Sequence, residues 1–123
     1  MKNIELANKL LNLVTMNGGA TLSLSGEVLK EGYCVALPRE LGFEKIKGHS
    51  SISDTFAFVD NFISSVPNSM GNKAIGAWVN TENNCLYLDL VDVVHNKEAA
   101  IRLGKARKQI AIFNLDTLEE IRL

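Results

Sequence analysis

The sequence carries no excess of charge of either sign. Thirteen Lys and Arg stand against fourteen Asp and Glu, a net −1, which excludes a strong overall attraction to nucleic acid or an anionic membrane. No apolar run approaches the ~18–20 residues that span a bilayer. The start, Met1-Lys2-Asn3-Ile4-Glu5, carries an acid early and lacks a continuous apolar segment, so a cytoplasmic chain without a signal peptide is expected. Cys34 and Cys85 have neither zinc-site spacing nor a Cys-x-x-Cys arrangement. Each sits in an apolar, strand-like run, where a reduced thiol serves as a small apolar side chain. Phosphate-loop and nucleophile-elbow patterns are missing too; Gly18-Gly19 and Gly71 read as turn glycines. Neither a cofactor nor a metal is expected.

What is present fits one folded domain over residues 1–123. A chain of 123 residues that is 46% hydrophobic and 22% charged is long enough to bury a real core and too apolar to be disordered. Ile4, Ala7, Leu11 and Val14 share one stripe, with Leu10 beside it, and predict a helix over 4–15 capped by Asn3 and ended by Asn17-Gly18-Gly19. Leu22 and Leu24 alternate with hydroxyl residues over 20–24, and Tyr33 to Leu37 form a second run closed by Pro38. Together they predict a first antiparallel hairpin. Arg39 to His49 is polar and contains glycine, which predicts a mobile loop.

Ser51 to Asp54 carries capping chemistry for a core helix running to Val66, with Ile52, Phe56, Val59, Ile63 and Val66 on one stripe. Ala74–Val79 and Cys85–Val94 flank the turn Asn80 to Asn84 and predict a second hairpin. In its long arm Leu86, Leu88 and Leu90 must face the core, since a one-residue slip would put Asp89 there. Asn96 caps a third helix, Lys97 to Lys108, whose Gly104 fits a close approach to the sheet. Ile110 to Leu115 and Glu119 to Leu123 predict a last strand pair. The resulting fold class is α+β, order αββαββαββ: antiparallel hairpins form a sheet with the helices packed mainly on one face.

Chemical candidates are few. Asp89, Asp92 and His95 could serve a metal or acid–base chemistry, but Asp89 and Asp92 are three positions apart and point to opposite faces of a strand. A solvated strand face is the competing reading. His49 beside Ser50, Ser51 and Ser53 suggests a nucleophile and base, against which stands the ordinary choice of serine at helix starts. Arg102, Lys105 and Lys108 recur at helical spacing and could meet phosphates or an acidic protein. A dipole-driven placement of bases late in a helix explains them equally. Trp78 is either packing or an interface anchor.

The runs Leu86 to Val94, Glu98 to Lys105, Gln109 to Leu115 and Glu119 to Ile121 together resemble a module of small bacteriophage and mobile-element proteins, which also occurs in polyvalent phage proteins. Gly18 to Leu22 and Gly32 to Ala36 resemble the front half of the same proteins. The resemblance brings no catalytic residues with it. It implies a setting in which small accessory proteins bind and block host machinery, including restriction and CRISPR systems.

The leading expectation is therefore a non-enzymatic accessory protein that binds a host protein, with a host-defence inhibitor such as an anti-CRISPR as its specific form. Tyr87, Asp89, Arg102, Lys105, Lys108 and Trp78 are the candidate partner-binding residues. A small-molecule or nucleotide binder using a pocket between sheet and helices is the first alternative. A nucleic-acid-binding module using the basic face of residues 97–108 is the second. A membrane partner is not expected.

Overall fold

The computed structural model describes residues 2–48 and 52–123. The expected capping chemistry at Ser51 and the His49–Ser50–Ser51 cluster lie outside the described residues. Three helices, α1 (Asn3–Asn17), α2 (Ile52–Ser65) and α3 (Lys97–Ala106), accompany seven strands among the described residues: β1 (Gly19–Ser23), β2 (Tyr33–Ala36), β3 (Lys45–Gly48), β4 (Ala74–Asn80), β5 (Cys85–Val94), β6 (Ala111–Asn114) and β7 (Glu119–Arg122). All pairings are antiparallel, in the order β1-β4-β5-β2-β6-β7, with β3 also on β5. The expected α+β class with an antiparallel sheet is the one observed.

Long β5 organises the sheet. Its ten residues pair along one side with β4, while its other side is shared: β2 covers Val91–Val94 and β3 covers Cys85–Leu88. The segment expected to be a mobile loop is therefore structured, with a 3-10 turn at Arg39–Leu41 followed by β3. Its Lys-Ile-Lys alternation is that of a half-exposed edge strand, and polarity alone disguised it.

The first expected hairpin does not form. β1 pairs with β4, and β2 pairs with β5 and β6. The connection between β1 and β2 turns tightly at Ser23–Gly26 but returns only as far as a bridge between Leu22 and Val28; it carries Gly26 and Gly32 at φ 96° and 99° and lays Leu29 against Cys34, Ala74, Val91 and Leu115. The Leu29 amide donates to the Thr21 carbonyl at 2.9 Å. Partial burial of that leucine holds the connection over the sheet face opposite the helices, which separates the two strands it joins.

The main core lies between α1, α2 and the sheet. Leu6, Leu10, Val14, Val59, Phe62 and Ile63 meet Leu22, Ile75, Leu86, Leu88 and Leu90, each large side chain contributing about 1.5–3 kcal/mol when fully buried. On the same face, α3 seats Ala100 on Val35 and Ile112, with Val94, Leu103 and Leu123 around them. A β-carbon on Gly104 would lie 2.6 Å from Leu123 Cδ1 and 3.0 Å from Ile112 Cγ2, so α3 does approach as closely as its glycine implies. Asn96 caps α3, its Oδ1 accepting from the Ala99 amide at 2.9 Å. Asn3 does not cap α1: it is the first helical residue, and its side chain donates to Ser64 Oγ at 3.3 Å.

Candidate functional site

The side of the sheet turned away from the helices is only partly covered, and its composition follows from register. Trp78 stands opposite Tyr87, Gly76 opposite Asp89, and Ala74 opposite Val91. β3 adds Ile46 opposite Tyr87, and β1 adds Thr21 opposite Gly76. Directly paired residues share a face, so two rows run across the strands: Ile46–Tyr87–Trp78 and Asp89–Gly76–Thr21. The third row, Val91–Ala74, is already under Leu29.

The aromatic row lies open. Trp78 and Tyr87 stack with ring centroids 4.6 Å apart and planes at 19°. Trp78 is 47% exposed and Ile46 52% exposed. Tyr87 is held in place by its hydroxyl, which accepts from Asn83 Nδ2 at 2.8 Å. Asn83 Oδ1 in turn accepts from the Cys85 amide at 3.1 Å, and Asn80 Oδ1 from the Glu82 amide at 2.9 Å. The Asn-rich turn between β4 and β5 thus fixes the ring pair, and Asn84 supplies a left-handed residue at φ 55°.

The acid row is unusual. Asp89 is half-buried, its carboxyl set against Gly76 where a β-carbon would collide with Oδ1. Burial, and then the nearby Glu44 carboxylate, push its pKa up to about 7. Among the described residues no cation pairs with Asp89 or Glu44. Cys34 lies deeper, its Sγ 3.9 Å from Thr21 Oγ1. Burial raises that thiol to about 11, with the Thr21 contact opposing and Asp89 adding to the rise. Such a thiol is a poor nucleophile. Cys34 and Cys85 are both free.

Asp92 has a different environment, as its three-residue offset from Asp89 requires. It accepts from Lys73 Nζ at 2.7 Å and from the Arg107 guanidinium at 2.6 Å. Burial alone would raise its pKa, but these two hydrogen bonds and charges outweigh it and hold the carboxyl below its usual range. Arg107 also donates to the carbonyls of Val35 and Ala36 at 3.3 and 3.2 Å. It is therefore a clamp between α3 and the sheet, and not part of the exposed basic face.

The six expected partner-binding residues fall into two separate groups. Trp78, Tyr87 and Asp89 come together on the open sheet face. Arg102, Lys105 and Lys108 lie exposed on and just after α3, which packs on the opposite face, and no acid pairs with them among the described residues. Ile46, Glu44 and Gly76 belong with the first group and were not anticipated. The isolated glycine in β4 is the sequence signal that would have pointed to a close approach. His95 is exposed beyond β5; among the described residues no three His, Cys, Asp or Glu side chains are grouped to hold a metal ion. Two open grooves, of about 200 and 430 Å³, lie by the ends of α1 and α2 and beside Val28 to Glu31. Neither includes any of the six residues.

No helix among the described residues is long and apolar enough to cross a membrane. The chain matches no family model, no curated protein and no solved structure.

Proposed function

We propose that this chain works by binding a partner protein through the open sheet face that carries Ile46, Tyr87 and Trp78. The observation behind this reading is the stacked Trp78–Tyr87 pair, anchored to the turn by Asn83 and half exposed. Aromatic anchors of this kind concentrate binding energy at interfaces, because they offer large contact area at little cost in conformational entropy. The flanking acids give the patch a polar rim of one sign. A catalytic role has less behind it, since the buried Cys34 thiol is held protonated at neutral pH.

The resemblance of the C-terminal runs to phage and mobile-element proteins supplies the setting for this proposal. The partner is then a protein of the host cytoplasm, and blocking a defence system such as CRISPR is the form the function takes. The test is a pull-down from lysate of the host cell with the unaltered chain and with Trp78→Ala beside it. A stoichiometric protein retained by the first and lost with the second supports the proposal. Recovery of none, or equal recovery by both, overturns it.

A further inference from the structure

The chemistry of the partner can be read from what this face lacks. Two carboxylates, Asp89 and Glu44, lie close enough to repel each other, and among the described residues no cation pairs with either. The Lys45 and Lys47 side chains do not serve, because they pair with Leu88 and Leu86 and so belong to the other side of β3. Asp89 and Tyr87 are two residues apart on one face of β5, a separation of roughly 7 Å along the strand. An aromatic surface and an acid so placed on one face can both be met by one planar cationic group, its flat side on a ring and its edge toward the carboxylate.

We infer that the partner seats an arginine on this face, its guanidinium against the Trp78–Tyr87 pair and its N–H groups donating to the Asp89 carboxylate, with Glu44 adding negative charge at the rim. The inference rests on the proposed use of this face for binding. Arginine fits better than lysine for two reasons. Its planar, weakly hydrated guanidinium stacks on an aromatic ring while still presenting several donors in a fixed fork. A carboxylate set in a partly dry site also gains more from a charge-assisted, directional hydrogen bond than from a hydrated point charge.

Because the chain has one tryptophan, the indole N–H resonance of Trp78 reports on the patch without ambiguity. Capped tri-arginine, tri-lysine and tri-glutamate peptides are titrated at pH 8, where the Asp89 carboxyl is ionised. Tri-arginine is expected to move the resonance along a saturating curve, tri-lysine to bind roughly threefold or more weakly, and tri-glutamate to leave it in place. In a double variant, Asp89→Asn with Glu44→Gln, the tri-arginine affinity is expected to fall by about fivefold to tenfold. The unchanged backbone spectrum confirms that this variant is folded. No shift with tri-arginine, equal binding of tri-lysine, or full retention by the double variant overturns the inference. If those results coincide with a partner that is captured by the unaltered chain and lost on Trp78→Ala, the binding face stands and only its arginine preference fails. If that capture fails as well, both readings fall.

Discussion

The carboxyl of Asp89 occupies the space that a β-carbon at residue 76 would fill, so Gly76 and Asp89 depend on one another across the β4–β5 pair. Gly76→Ala should force the carboxyl aside. The expected cost is about 1–3 kcal/mol, the usual range for overpacking a tight site. Gly76→Ala in an Asp89→Ala background should cost less than half as much, which urea unfolding of the four proteins in the cycle would measure.

Asp89 also sets a pH dependence. Its folded pKa lies above its unfolded value, so the folded state holds the proton more tightly, and stability falls as pH rises from about 4 to about 7 and then levels. Asp89→Asn removes that decline. It is expected to be more stable than the unaltered chain by about 1–3 kcal/mol at pH 8, and close to neutral at pH 4. Denaturant curves at the two pH values give the comparison.

Asp92 gives the opposite sign. Its folded pKa is depressed, so its contribution is complete above the usual carboxylate range and is lost as pH falls through the lowered value. Asp92→Ala would leave Lys73 and Arg107 without their carboxylate and free the hold of Arg107 on β2. A loss of about 2–3 kcal/mol at pH 7 is expected, shrinking toward zero in strong acid. Thermal unfolding across pH would show it.

Gly104→Ala separates packing from propensity. Alanine favours an isolated helix by about 1 kcal/mol over glycine, yet here a β-carbon would press on Leu123 and Ile112. Packing is expected to win, with a net loss of about 1–2 kcal/mol. Leu123→Ala should restore part of it.

How far the sequence could be read depended on whether contacts were local. The three helices, the β4–β5 and β6–β7 pairs, the Asn96 cap and the close approach at Gly104 all announce themselves through periodicity, turn residues or a single glycine. The partners of β1 and β2 were not legible. Their pairing is decided by Leu29 packing on Cys34, Ala74 and Val91, a long-range contact with no local pattern. β3 was hidden for a related reason: a four-residue edge strand between lysines looks polar, and only the unpaired first half of β5 calls for it. The candidate site was half visible. Trp78, Tyr87 and Asp89 stood out as residue types, but register alone brings Ile46, Glu44 and Gly76 to them and parts them from Arg102, Lys105 and Lys108.

Trp78→Ala is expected to separate binding from folding. The ring pair is worth about 0.5–1.5 kcal/mol beyond its area, so a modest fall in melting temperature should accompany the loss of the partner. A variant that unfolds at the temperature of the binding assay would contradict the placement of Trp78 on an open face.

The central claim is that a partner protein covers the Trp78–Tyr87 pair. Replacing the single tryptophan by 5-fluorotryptophan gives one fluorine resonance, at residue 78. On adding the protein recovered with the chain, that resonance is expected to shift or broaden in a saturable way and to lose its sensitivity to exchange of the solvent into D2O. A fluorine signal that keeps its position, width and solvent sensitivity in the assembled complex would contradict the claim.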